Sequence, residues 1–181
     1  MGKQRNLGKF LAYVLRHHPE VIGIELDAHG WADVDALLRG IARTRPFDRE
    51  MLEEIVRTDE KQRYALSADG RKIRASQGHS IAVDLELEAQ QPPDILWHGS
   101  ATRFHDGIMK QGLQRMGRQY VHLSGDYATA VKVGARHGTP IVYQVLSGEM
   151  YADGYPFYRA ENGVWLTEKV PAVYLVPVSL M

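Results

Sequence analysis

Four places in this chain of 181 residues carry side chains that could do chemistry: Arg16-His17, Arg63, His98-Gly99-Ser100, and the stretch Arg118-Gln-Tyr-Val-His-Leu-Ser124. The last is the most informative. Tyr120, His122 and Ser124 alternate with Val121 and Leu123, the period of a strand with two unlike faces. Arg118 stands just before it, where a guanidinium could meet an anion. Asp126 follows and can cap a helix starting near Tyr127. An arginine, a histidine and a serine presented beside a helix N-terminus suit a phosphorylated ligand. At the third place, glycine would let a ligand lie against the main chain, with His98 and Ser100 supplying hydrogen bonds on either side.

Each site also has a plainer reading when taken singly. Arg16 and His17 sit where a helix ends and could simply complement the negative end of its dipole. Neighbours in a helix point about 100° apart, so the two share a ligand only if it lies across that helix end. His98 reads as a turn histidine, His122 as a core histidine, and Arg63 and Arg118 as surface residues. Arg136-His137-Gly138 reads as a basic helix end before its terminating glycine. Glu161 and Glu168 fall on opposite sides of a hairpin turn and read as solvated rather than as a catalytic pair.

Composition removes several kinds of chemistry. The chain has no cysteine, which excludes disulfides and thiolate nucleophiles. Of its eight histidines, none has a recognised ligand spacing such as His-Glu-x-x-His, and we expect no metal. There is no apolar run of membrane-spanning length and no signal-peptide core, so the expectation is a cytoplasmic protein without a membrane partner. Lys+Arg and Asp+Glu are both 22, a balance that argues against a nucleic-acid-coating protein. A polyanion would have to be gripped by a few local arginines.

The elements that must position these groups follow from pattern. Leu7, Phe10, Leu11, Val14 and Leu15 give a helix over 3–17, which Pro19 closes. Trp31, Val34, Leu37, Leu38 and Ile41 trace a second helix, and Asp48 caps a third bearing Met51, Leu52, Ile55 and Val56. Residues 63–75 read as a hairpin turning at Ala68-Asp69-Gly70. Three helices and a two-stranded wing is the order of a winged-helix module, with Arg63, Arg71, Lys72 and Arg74 charging the wing. Residues 77–93 read as a junction, with a strand-like segment at 81–88. Beyond it come a strand at 95–100, a helix ending at Gly112, the Arg118–Ser124 strand and a helix over 127–137. A strand at 141–146, a hairpin turning at Asn162-Gly163 and a last strand at 172–178 complete the chain. Many strands with two helices predict an α+β second domain, largely antiparallel. Gly-x-Gly-x-x-Gly and the P-loop are both missing, so a dinucleotide would need another architecture. We set the domains at 1–80 and 81–181.

Taken together, the motifs resemble the RNA 2′-phosphotransferase family (the KptA group) over nearly the whole chain. The resemblance is carried by Leu7-x-x-x-Leu11-x-x-x-Leu15-Arg16-His17-x-Pro19, Lys61-Gln-Arg63-Tyr, Trp97-His98-Gly99-Ser100, Met116-x-Arg118-x-x-Val121-His122-Leu-Ser124, Val133-Gly-x-Arg136-His-Gly138 and Asn162-Gly-Val-Trp-Leu166. It implies a winged-helix lobe joined to an ADP-ribosyltransferase-like lobe of mixed, mostly antiparallel sheet, with NAD consumed as co-substrate and 2′-phosphorylated, tRNA-like RNA as partner. The implied reaction has two steps. The RNA 2′-phosphate attacks the nicotinamide ribose carbon, and nicotinamide leaves. The ribose 2″-hydroxyl then attacks phosphorus, giving ADP-ribose 1″,2″-cyclic phosphate and a 2′-hydroxyl on the RNA, as in tRNA splicing. The family's Arg-His-Arg-Arg catalytic set falls on Arg16, His17, Arg63 and Arg118. His98, Gly99, Ser100, His122 and Ser124 fall on its NAD-binding positions. Related protein-modifying transferases carry a glutamate near the position of Asn162-Gly163-Val164, where this chain has an apolar residue; a phosphate acceptor needs no deprotonation. A monomer is expected. The alternatives are an NAD-dependent ADP-ribosyltransferase that modifies nucleic-acid phosphates without the second step, and a winged-helix binding protein that senses NAD without turnover.

Overall fold

A computed structural model describes residues 2–178 of the chain, which divides into two compact units after Glu86. Each unit has its own buried apolar core. Among the described residues no helix is long and apolar enough to cross a membrane.

The first unit begins with α1 (Gly2–Arg16), whose Leu11, Val14 and Leu15 are buried at the predicted spacing. Burying a leucine of this kind is worth about 1.5–3 kcal/mol, so this face fixes the helix and with it the position of Arg16 at its end. Pro19 opens a 3₁₀ turn (Pro19–Ile22) that closes on Gly23, at φ +72°. β1 (Ala32–Asp33) leads into α2 (Val34–Ala42), with the Asp33 carboxylate accepting from the Ala36 N–H. Trp31 therefore precedes that helix rather than belonging to it. Asp48 caps α3 (Arg49–Thr58), as expected, by accepting from the Met51 N–H at 2.9 Å. β2 (Tyr64–Leu66) and β3 (Lys72–Ala75) form the predicted hairpin, turning at Gly70 with φ +71°. The hairpin gains a third strand, because β1 pairs with β3 in the order β1-β3-β2.

That third strand corrects the picture of a charged wing. β3 is central, and its Ile73, Arg74 and Ala75 are all buried. Arg74 stacks over the Trp31 ring at 4.3 Å and is only 7% exposed, so it belongs to the interior. The Lys72 ammonium lies 3.7 Å from the Asp27 carboxylate.

In the second unit every strand pairing among the described residues is antiparallel. β4 (Leu96–Ala101) is followed by α4 (His105–Gln111), which stops at Gly112 with φ +75°, and by β5 (Leu113–Gln114). β6 (Val121–Leu123) is shorter than the predicted strand, leaving Arg118 in the turn before it. Asp126 caps α5 (Tyr127–Ala135) through the Thr129 N–H, as expected. β7 (Pro140–Val145) runs between β4 and β11 (Leu175–Val178). α6 (Ser147–Ala152) is a third helix where two were expected; six residues are too few for a helical period to show. β8 (Tyr158–Arg159) and β9 (Trp165–Thr167) make the hairpin at Asn162-Gly163 and pair onto β6 in the order β6-β9-β8. β10 (Lys169–Val170) pairs with β5.

The expected strand at 81–88 does not form. The Asp84 N–H donates instead to the carbonyl of Ala28, and the acidic residues there remain outside any sheet.

Candidate active site

In the first unit three candidates share one frame. Arg16 closes α1, and His17 follows in the turn, its N–H donating to the Tyr13 carbonyl. Arg63 enters β2 one residue before Tyr64, fixed by a carboxylate that sequence reading overlooked. Asp59 accepts from the Arg63 N–H at 2.8 Å, from Nε at 3.1 Å and from a terminal guanidinium nitrogen at 3.2 Å. Burial works to raise the Asp59 carboxyl, but the Arg63 hydrogen bonds outweigh it and hold the carboxyl below its ordinary range. Burial likewise opposes the charge on Arg63, and Asp59 overcomes it, leaving the guanidinium more firmly protonated than usual. Two bonds in the guanidinium plane fix its orientation as well as its charge. The signal available in the sequence was an acid four residues ahead of the arginine.

Tyr64 binds this arginine to α1. Its hydroxyl donates to the Gly8 carbonyl, and its ring lies beneath the Arg63 guanidinium. Burial pushes the hydroxyl pKa up against the opposing pull of Arg63 and Arg16.

The segment 76–80, which reads as a junction in the sequence, runs along all three residues. The Ser76 N–H donates to the Arg63 carbonyl at 2.8 Å. Gly78, at φ +92°, packs so closely on Arg16 that a Cβ would lie 3.1 Å from its guanidinium carbon. The Ser80 N–H donates to the Arg16 carbonyl at 3.0 Å, and Ser80 Oγ lies 2.8 Å from His17 Nδ1. Between them His79 is 1% exposed, and neither ring nitrogen has a hydrogen-bond partner among the described residues. Burial, with Arg16, His17 and Arg74 nearby, pushes its pKa down to about 4.

In the second unit the other candidates meet across two strands. The Trp97 and Ser124 main chains exchange N–H···O bonds of 2.9 and 2.8 Å, joining β4 to the end of β6. Val121 and Leu123 are buried and His122 is half-buried, the alternation expected of this strand. The Arg118 guanidinium donates to His122 Nδ1 at 3.0 Å, so the His122 proton sits on Nε2. Desolvation and the nearby Arg136 both lower the Arg118 pKa, although the residue as a whole is exposed. His98 Nδ1–H donates to the His122 carbonyl at 3.0 Å, which makes its Nε2 an acceptor. Burial depresses the His98 pKa, and that hydrogen bond opposes the effect.

Packing alone requires a glycine at position 99. A Cβ there would lie 1.7 Å from the Ala130 carbonyl oxygen and 2.8 Å from the Gly134 nitrogen. The Cα therefore faces α5, and packing of that helix on β4 demands the glycine. His98 and Ser100 lie on the opposite face by strand alternation. Trp97 uses its N–H and C=O toward β6, so the N–H and C=O of Gly99, two residues on, point toward the same edge beyond the Ser124 bridge.

The fold is that of an α+β protein whose two units each carry guanidinium, imidazole and hydroxyl groups as candidates. The family model described as RNA 2′-phosphotransferase, Tpt1/KptA family, matches residues 2–169. A probable RNA 2′-phosphotransferase of Acaryochloris marina is 52% identical over 174 residues, 96% of each chain. One from Pseudomonas fluorescens is 53% identical over 169 residues, covering 92% of this chain and 93% of its own. A third, from Agrobacterium fabrum, is 54% identical over 168 residues, covering 92% and 90%. This chain belongs to the RNA 2′-phosphotransferase, Tpt1/KptA family, and it is an enzyme of the transferase class.

Proposed function

We propose that this chain removes an internal 2′-phosphate from RNA at the expense of NAD, giving a 2′-hydroxyl RNA, nicotinamide and ADP-ribose 1″,2″-cyclic phosphate. The observation that supports this most is the anchoring of Arg63. A carboxylate on one edge of the guanidinium and the segment 76–80 on its main chain hold it in one orientation, with a terminal nitrogen beside Gly8 of α1, the helix that ends at Arg16. A phosphate nucleophile is already an anion and needs no general base. It needs donors that position it and stabilise charge on its oxygens. Arg16, Arg63 and Arg118 are the guanidinium donors, and His17, when protonated, adds a proton donor.

The second unit offers groups that fit NAD. A primary carboxamide offers two N–H donors and a carbonyl acceptor, and the Gly99 C=O and N–H at the edge of β4 match one of the donors and the acceptor. The acceptor nitrogen of His98 and the Ser100 hydroxyl suit ribose hydroxyls, and His122 and Ser124 extend the same set. When bound, NAD supplies an electrophilic ribose carbon with nicotinamide as its leaving group. The winged-helix and ADP-ribosyltransferase-like character of the two units belongs to this reading, as does a tRNA-like substrate.

The test is incubation with NAD and a short RNA carrying one internal 2′-phosphate, followed by mass analysis. The expected products are dephosphorylated RNA, nicotinamide and the cyclic phosphate. RNA that keeps its phosphate and gains ADP-ribose would show an enzyme that stops after one step. Unchanged RNA with intact NAD would overturn the proposal.

A further inference from the structure

We propose that Ser80 is a positioning residue for His17, holding its ring by Nδ1 so that proton exchange with substrate runs through Nε2. This rests on the reading of His17 as a proton donor. The Ser80 main chain is anchored independently, its N–H donating to the carbonyl of Arg16, the residue before His17. From that fixed point Oγ reaches His17 Nδ1 at 2.8 Å. The anchor belongs to a run with further ties: the Ser76 N–H donates to the Arg63 carbonyl, and Gly78 sits against Arg16. Ser80 is therefore placed by the same segment that touches the other two cations of this unit.

A hydroxyl is the right chemical type for this position. It donates to Nδ1 when the neutral ring carries its proton on Nε2, and by rotating it accepts from Nδ1–H when the ring is charged. Both protonation states of His17 are thus held in one orientation. A carboxylate would orient the ring too, but it would favour the charged form and cancel part of the positive field that Arg16 and Arg63 present to a phosphate. The serine orients without neutralising.

Ser80→Ala removes the hydroxyl and leaves the main-chain bond to Arg16 in place. We expect kcat with NAD and the 2′-phosphorylated RNA to fall on the order of tenfold, less than the roughly 10²–10³ expected for loss of a whole donor. KM for both substrates should stay within about twofold of wild type, and Ser80→Thr, which restores a hydroxyl, should recover most of the rate. The readout that a purely structural role would not move is the His17 ring itself. Its ¹⁵N shifts should report the Nε2–H tautomer in wild type and Ser80→Thr, and a mixture of tautomers in Ser80→Ala. An unchanged tautomer in Ser80→Ala, or an unchanged kcat, overturns the assignment. A wild-type protein without turnover would overturn the functional reading instead, and the ¹⁵N comparison would still decide the role of Ser80.

Discussion

Asp59 and Arg63 show how one acid can set the value of one base. Without Asp59 the Arg63 guanidinium would keep its charge but lose its plane, and a phosphate ligand depends on that plane for bidentate contact. Arg63→Ala should lower kcat by roughly 10²–10³. Asp59→Asn retains an acceptor for the Arg63 N–H and weakens the guanidinium anchor, so its loss should be smaller, about tenfold. Steady-state rates of the two variants give the order, and a wild-type rate in Asp59→Asn would show that Arg63 needs no anchor. His79 makes a different residue-scale prediction. Its folded pKa of about 4 lies below the ordinary value near 6.5. As pH falls below about 6.5 the unfolded chain takes up a proton that the folded one refuses, so stability present above that pH is lost progressively down to about 4, by up to about 3 kcal/mol. His79→Leu should flatten this dependence in denaturant titrations run between pH 7.5 and pH 4.5. Equal slopes for the two proteins would mean that the ring is already paired or already charged.

Elements, unlike single residues, were largely legible from pattern. Asp48 and Asp126 announced their helices because a cap is a local event, one carboxylate and one N–H three residues on. The hairpins at Gly70 and Asn162-Gly163 were legible for the same reason. Contacts made by residues distant in sequence were not. Arg74 on Trp31 and β1 against β3 join residues some forty apart, and the pairing of Ser80 with His17 spans sixty-three. Arg16, His17, Arg63 and Arg118 could be listed as candidates from the sequence; of the residues that hold two of them, Asp59 was signalled only by its place four residues ahead of Arg63, and Ser80 not at all. Gly99 lies between these cases, since the glycine was visible but its packing against α5 was not. Its closeness to Ala130 predicts that Gly99→Ala overpacks α5 on β4 and costs about 3 kcal/mol. In a chain of this size that is a fall of roughly 6–12 °C in Tm. Gly107→Ala is the control: it lies in α4 with nothing within 4 Å of the added methyl, and it should leave Tm equal or slightly raised. Equal Tm values for the two variants would mean that β4 and α5 are not packed as tightly as described.

At the scale of the whole molecule, the balance of 22 basic against 22 acidic residues constrains how RNA can be held. A protein that coats RNA carries a broad positive surface and releases many counterions on binding. Here the net charge is zero, and part of the basic complement is committed internally: Arg74 to Trp31, Lys72 to Asp27, Arg49 to Asp35 and Glu53. Affinity must then come from a few placed cations acting at short range. Each neutralised phosphate of a single strand contributes about −0.7 to the slope of log K against log salt. With the three guanidinium groups, or these and the His17 imidazole, in contact, the slope for a short 2′-phosphorylated RNA should be about −2 to −3. Arg63→Ala should make it shallower by about 0.7 while weakening binding to all RNA sequences alike. Fluorescence anisotropy across a salt series measures both. A slope steeper than about −5 would require a basic surface well beyond the four groups proposed here. An unchanged slope in Arg63→Ala would remove that residue from the phosphate contacts. Discrimination between RNAs would then rest on the 2′-phosphate itself, because the donors proposed to give affinity are the ones proposed for the transfer reaction.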